Sequence, residues 1–500
     1  MDKALKPDPE YIICTIRRDY QPARIPLIRG GGRGNGARVN GMGWDALIAF
    51  AASIAATIGL ILHRPYLRIR LWNRHLRLET FFLGALLGPV LIIASGLLRL
   101  TEAVEGLEGR AGLQPLGILA LFLSMVFLSI FLDITGVFEY CARWSLARAR
   151  GDGRRLFFWV YATVSLLTVF TSNDIIILTF TPIIYYYARH ARINPVPYLI
   201  AEFFAANTWS TLLYVGNPTN IVVAGAFRLG FLRYAAWMAL PTLAAGLVNG
   251  FGLYRLFRAE ISRPLAPAPA GPPAEALTDR PGALMGLALM AACIVGLALA
   301  PRLGLEMWWI ALGSALGLLA ILIARRAWAR FLGRDLRRHG GPGLRHTLGR
   351  MPWAIAPFVL ALFVTVDALR RFGVTTAARD ALEAFCGASA PARVFVYGAS
   401  SALAANVLNN IPMTLAFTTI VEGLAGRNQL AAAFATAVGS NLGANLTPLG
   451  ALAGLMWMSI LREKSVHIRF RDFVRYGLRV TPLSLLAALA VLALQFALTS

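Results

Sequence analysis

From residue 43 onward the chain alternates long apolar runs with short charged loops. A helix needs about 20 mostly apolar residues to cross a bilayer core. Runs of that kind fall at 43–62, 80–100, 115–141, 196–228, 234–257, 282–300, 307–324, 352–369, 430–461 and 479–498. The fourth and ninth are interrupted by polar residues, so each is expected as a broken helix. Two further runs, 156–187 and 393–421, are split near the middle into limbs of about 15 residues, too short to cross comfortably. Each is expected as a re-entrant hairpin whose tip faces protein or a wet cavity rather than lipid.

Basic residues in short loops set orientation. Arg143, Arg148, Arg150, Arg154 and Arg155 place 142–155 in the cytoplasm, as do eight arginines in 325–350. Arg462, Lys464, Arg469, Arg471 and Arg475 do the same for 462–476. Glu102, Glu105 and Glu108 against Arg110 put 101–114 outside, and the arginines of 63–78 then face in. The first hairpin enters from the cytoplasm and the second from outside. The sequence therefore predicts an all-α polytopic membrane protein of two inverted repeats, each with a re-entrant helical hairpin and a broken transmembrane helix. The repeats are assigned to 43–258 and 282–500, joined by a Pro/Ala-rich cytoplasmic linker, 259–281.

Residues 1–42 form a basic extension that does not fit this scheme. It would lie outside, yet it carries eight basic side chains in 1–40 and the Gly-rich run RGGGRGNGARVNG. It is too long and too polar for a cleavable signal. It is read as disordered, or as lying ahead of a true start at Met42.

Composition supports the membrane reading. Hydrophobic residues are 57% and charged residues 15% of 500, with mean hydropathy +0.61, against about 25% charged in soluble domains. The formal charge of +23 is dispersed in interhelical blocks, which excludes a nucleic-acid-binding face. Cys14, Cys141, Cys293 and Cys386 are too scattered for a disulfide scaffold or a soft thiolate site. No HExxH or Walker motif is present, so no metal centre, cofactor or ATP chemistry is assigned, and the chain is not read as an enzyme. A proton or sodium gradient is the driving force left to it.

Chemistry is expected at four polar interruptions: Thr171–Asp174, Gly216–Asn220, Asn409–Pro412 and Gly439–Pro448. A single Asn-Pro or Ser-Asn usually marks a capped kink. Four of them at matching places in two halves point to a shared substrate cavity. Asp133, Glu139, Asp174, Glu202 and Asp367 lie in apolar surroundings, where a charge is expensive. Asp174 at a hairpin tip is the candidate for ion or proton coupling, with a helix-capping role left open beside it. Asp133 and Glu139 are expected to pair with Arg143 or neighbouring arginines, while Glu202 and Asp367 give weaker signals.

The runs SIFLDITGVFEYCARW, FTSNDIIILTFTPII, VGNPTNIVVA, LNNIPMTLAF and GSNLGANLTPLGALAGLMW resemble the arsenite/antimonite efflux permeases. These belong to the ion-transporter superfamily that also holds citrate carriers and NhaD-type sodium/proton antiporters. The resemblance implies proton-coupled export of trivalent arsenic from the cytoplasm across the cell membrane, by a homodimer working through alternating access. A separate ATPase subunit is a further partner it allows. Carried over residue by residue, it implies substrate contacts at Ser172, Asn173, Asn217, Thr219 and Asn220. Asn409, Asn410, Thr414, Asn441, Asn445 and Thr447 would contribute from the second half, with Asp174 coupling the ion. Two departures stand out. Asn441 occupies a place where these permeases often carry an aspartate, and VGNPTN looks more like the carboxylate-carrier pattern. Arsenite is a small uncharged polyol at neutral pH, which amide and hydroxyl groups suit. Transport of citrate or a dicarboxylate, or sodium/proton antiport, is the alternative within the same superfamily. A membrane subunit of an ATP-driven complex, or a scaffold without transport, is the alternative outside it.

Overall fold

The computed structural model describes residues 41–71, 74–108, 114–263, 265, 271–331, 344–387 and 389–499. The basic extension lies outside these residues, apart from its last two, which open the first helix. Much of the linker and of the arginine-rich 325–350 loop also lies outside them. Among the described residues there are twenty α-helices and one two-stranded sheet. Six of the helices are long and apolar enough to cross a membrane, the longest being Phe231–Ile261 and Phe470–Leu498. Leu247, Phe251, Leu284, Val407 and Leu483 lie exposed on helix surfaces. So much outward apolar area suits hydrocarbon rather than water.

The first half runs α1 (Gly41–His63), α2 (Phe81–Ala94), α3 (Leu100–Glu108), α4 (Pro115–Ile134), α5 (Val137–Arg148), α6 (Gly153–Phe170), α7 (Asn173–His190), α8 (Val196–Trp209), α9 (Pro218–Ala226) and α10 (Phe231–Ile261). The second runs α11 (Arg280–Leu299), α12 (Met307–Phe331), α13 (Leu344–Gly349), α14 (Ile355–Arg371), α15 (Val374–Glu383), α16 (Ala390–Leu408), α17 (Asn410–Glu422), α18 (Gly426–Gly443), α19 (Leu452–Glu463) and α20 (Phe470–Leu498). Each helix has a counterpart ten places on. Even the 3-10 turns recur, Tyr214–Gly216 between α8 and α9 and Pro448–Gly450 between α18 and α19.

Contacts between the halves exchange in the same way. Helix α4 packs on α12, and α14 packs on α2; α7 packs on α19, and α17 on α9. Helices α8 and α18 touch each other, as do α10 and α20. The two halves are thus joined through several pairs of helices. The described residues make one compact unit, and neither half keeps its core to itself.

Several sequence boundaries need correction. The 80–100 run is not one helix: α2 stops at Ala94, Gly96 turns back with φ 74°, and α3 follows. The 115–141 run divides at Gly136, φ 89°, where only a residue without Cβ sits easily. Its counterpart break is Gly373, φ 80°. The basic 63–78 segment is not a plain loop. Tyr66–Leu71 pairs antiparallel with Arg74–Glu79, Tyr66 opposite Glu79, following an alternation of apolar residues and arginines with the period of a strand. The fold is therefore helical with one small hairpin rather than purely α. Helix α10 also continues to Ile261 and α11 starts at Arg280, each reaching into the assigned linker.

Helices α8 and α18 are buried on every side, residues 197–208 and 431–443, as expected of the innermost members of a bundle. Close approach there depends on small residues. A Cβ at Gly443 would stand 2.6 Å from the carbonyl oxygen of Ala402 on α16, and one at Gly439 would collide with Ser401. Gly443→Val should therefore separate α16 from α18 at a cost of about 3 kcal/mol or more. Size-exclusion profiles and thermal unfolding in detergent should show aggregation or a lower midpoint; a profile like that of the parent would refute the packing argument.

Candidate functional site

Each polar interruption ends one helix and starts the next. Thr171 and Ser172 separate α6 from α7, and Asn409 alone separates α16 from α17. The heads of α7, α9 and α17 are Asn173, Pro218 and Asn410, all buried. Backbone N–H groups at such heads lack intrahelical partners and carry partial positive charge. Asn217 meets part of the need at α9, its Oδ1 accepting from the Thr219 backbone N–H at 3.1 Å and from Thr219 Oγ1 at 3.0 Å. Asn409 holds φ 72° and ψ 152°, a region costing about 1–3 kcal/mol for a residue with a side chain. Its Nδ2 donates to Leu449 O at 3.1 Å, tying the tip to the second 3-10 turn.

The amides of the two halves bond to one another. Asn173 Nδ2 donates to Asn207 Oδ1 at 3.0 Å, Asn207 Nδ2 to Asn445 Oδ1 at 3.1 Å, and Asn445 Nδ2 to Thr208 Oγ1 at 3.2 Å. Asn441 is a second hub. Its Oδ1 accepts from Asn217 Nδ2 at 2.8 Å and Ser210 Oγ at 2.9 Å, and its Nδ2 donates to Asn220 Oδ1 at 2.6 Å. Asn220 Nδ2 in turn donates to Ser210 O at 2.8 Å, closing the first broken helix on itself. Ser210 Oγ also lies 2.9 Å from Asn207 O and so joins the two hubs.

The structure thus gathers Asn173, Asn217, Thr219, Asn220, Asn441 and Asn445 into one buried network. The other sequence candidates lie in smaller groups beside it. Thr447 Oγ1 donates to Asn406 Oδ1 at 2.8 Å, and Asn406 Nδ2 reaches Gly443 O at 2.9 Å. Thr414 Oγ1 donates to Asn410 O at 2.7 Å and lies 3.0 Å from Ser440 Oγ. Four buried polar atoms at the tips have no hydrogen-bond partner: Ser172 Oγ, Asn173 Oδ1, Asn409 Oδ1 and Asn410 Oδ1. A ligand carrying hydroxyl donors would satisfy the three carbonyl oxygens among them.

The sequence reading missed Asn207, Thr208, Ser210, Asn406 and Ser440. Asn207 carried a usable signal, since Asn207 and Asn441 each stand seven residues ahead of their own 3-10 turn. The ionisable candidates separate cleanly. Asp133 pairs with Arg350 at 2.6 Å and accepts from Thr179 at 2.7 Å. Glu139 pairs with Arg143, and Asp367 with Arg370 and Arg371. Asp174, half-buried in the first turn of α7, makes no hydrogen bond or ion pair with another described residue. Among the described residues no group of three His, Cys, Asp or Glu side chains could hold a metal ion. On the other side of α9 a cavity of about 320 Å³ is lined by Ile118, Ile221, Gly225, Arg228 and Trp308.

Comparison with known proteins adds a lineage. The model of the citrate transporter family matches residues 80–439. The arsenical pump membrane protein of Yersinia enterocolitica is 30% identical over 386 residues, covering 76% of this chain and 86% of the relative. That of Escherichia coli K12 is 29% identical over 385 residues, with the same coverage. Among solved structures, the YdaH transporter of Alcanivorax borkumensis aligns with TM-score 0.52 and 14% identity over 91% of this chain and 98% of its own. At that identity the likeness speaks for the fold alone.

Asn441→Ala would strip partners from Ser210, Asn217 and Asn220 at once. Leaving buried polar groups bare costs about 1–3 kcal/mol each, so thermal unfolding in detergent should fall by several degrees, with Asn441→Asp or Gln less affected. An unchanged midpoint for the alanine variant would mean that this network does not hold the halves together.

Proposed function

This chain belongs to the citrate transporter family and stands with the arsenical pump membrane proteins, and from that premise we propose that it exports arsenite or antimonite in exchange for protons. The protein is a multi-pass membrane transporter. The finer reading rests on one observation above all. Amides from both halves meet in a buried network without Lys, Arg or His, and the tips carry four unpartnered polar atoms. An uncharged trihydroxy acid can donate to carbonyl oxygens and accept from amide N–H groups without any counter-charge.

In the mechanism we propose, the halves are inverted repeats and the hairpins are re-entrant, so the tips reach the substrate from opposite sides. Ser172, Asn173, Asn409 and Asn410 contact it first, and the network of Asn217, Asn220, Asn441 and Asn445 rearranges as access alternates. Thr219, Thr414 and Thr447 hold the helix heads and turns that carry those amides. Asp174, with no hydrogen-bond or ion-pair partner among the described residues, binds the proton that returns. The ion gradient supplies the energy, with no cofactor. A homodimer in the cytoplasmic membrane, with an ATPase subunit as an optional partner, completes the proposal.

A second reading, ion-coupled transport of a carboxylate, draws on the helix heads of α7, α9 and α17. Their partial positive charge favours an anion.

Everted membrane vesicles separate the two. With an acidic lumen, vesicles containing the protein should accumulate arsenite, and Asp174→Asn should reduce accumulation by about tenfold or more. Citrate should not compete. Sodium-dependent citrate uptake without arsenite flux would replace the first reading with the second.

A further inference from the structure

Glu202 has so far had no role. It is wholly buried, 0% exposed, in the middle of α8. Its Oε1 accepts from Thr181 Oγ1 on α7 at 2.8 Å. The indole of Trp457, on α19 in the other half, faces the same carboxyl, yet Glu202 Oε2 and Trp457 Nε1 both lack a hydrogen-bond partner. Phe203, Trp457 and Phe473 close the site, with ring centroids 5.1–5.8 Å apart. Helix α8 packs against α6, α7, α10 and α18. None of the ionisable groups on the elements around it bonds to Glu202: not Asp174 or Tyr187 on α7, Tyr161 on α6, Tyr254 on α10, Arg427 on α18 or Glu463 on α19.

A carboxylate stripped of water, with one hydroxyl donor and no cation, lacks compensation for its desolvation. A proton on Glu202 would remove that cost. Protonated, Oε2 is the poorer acceptor for the indole N–H, in keeping with the two unpaired atoms. Once ionised, Oε2 would accept from Trp457 Nε1 and draw α19 toward α8. The contact it would alter joins the two halves. It lies five residues from Asn207, about 7.5 Å along the helix.

We propose that Glu202 is a second proton-binding residue of the transport cycle, whose ionisation switches the contact between α8 and α19. The proton is taken up on Oε2 when the site opens to one side, carried while Glu202 is buried, and released to the other. This rests on the proton-coupled reading given above. Among the described residues Asp133, Glu139 and Asp367 are held by arginine, whereas Asp174 and Glu202 have no ion pair.

The test uses Glu202→Gln, which keeps the shape of the neutral acid. Two measurements are made in vesicles: arsenite accumulation driven by an acidic lumen, and exchange of labelled for unlabelled arsenite at equal pH. Accumulation should fall by about tenfold while exchange stays within about twofold, and Glu202→Asp should recover part of the accumulation. Glu202→Gln vesicles that accumulate like the parent would overturn the proposal, and so would equal loss of both activities in well-folded protein, which marks a structural acid. Should the glutamine variant fail to fold, infrared difference spectra decide. A carboxylic-acid C=O band that disappears at high pH in the parent and shifts in Glu202→Asp supports the proposal; no such band overturns it. Parent vesicles that move no arsenite in either assay would instead sink the functional reading itself.

Discussion

A helix broken inside an apolar medium leaves backbone groups that water cannot reach. In this protein the breaks survive because amide side chains supply what water would. Asn217 caps α9, Asn220 binds the carbonyls of Ser210 and Leu213, and Asn406 binds those of Ala402 and Gly443. The remaining amide atoms then reach across to the other half. One device therefore both permits unwound backbone at the centre and joins the two halves of the chain. Such a join is adjustable, since an amide carries both donor and acceptor and can change partner without stranding a charge.

The exchange of contacts between halves follows from the same centre. Helices α8 and α18 must lie together for Asn207 to meet Asn445 and for Asn441 to meet Asn217. Small residues let α16 approach α18 closely, with Gly439 and Gly443 against Ser401 and Ala402. The long helices α10 and α20 pack alongside, with Trp237 stacked on Phe496 at 4.3 Å. Little apolar driving force separates helix from lipid, so packing of this closeness and interhelical hydrogen bonds have to hold the bundle. Polar groups do here what a hydrophobic core does in a soluble protein.

Charge is arranged by the opposite rule. Asp133, Glu139 and Asp367 sit near arginines and are neutralised by them. Asp133 is paired from a distance in sequence, by Arg350, which ties the Gly136 break of the first half to the second. Asp174 and Glu202 receive no arginine among the described residues. The acids with fixed counter-ions tie elements together, whereas the two without one hold no such tie.

Apolar runs interrupted by Asn, Ser and Pro were legible as helices with breaks, because the bilayer imposes a length rule that any window of 20 residues can be tested against. So were the tips at Ser172 and Asn409, where polar residues are too costly in lipid to be accidental. The Gly136 and Gly373 breaks were not legible, since glycine is ordinary in membrane helices and only the backbone angle reveals its work. Nor was the β-hairpin, whose arginines read as a topology signal. Asn207 escaped notice because its partner lies 238 residues away. Glu202 looked like a weak signal for the same reason: its isolation from every cation is a property of four surrounding helices. Periodicity and cost of transfer act along the chain, so the sequence alone determined where helices run and where they stop. Which amide meets which, and which acid is left without a counter-ion, depends on distances that close only when the two halves come together.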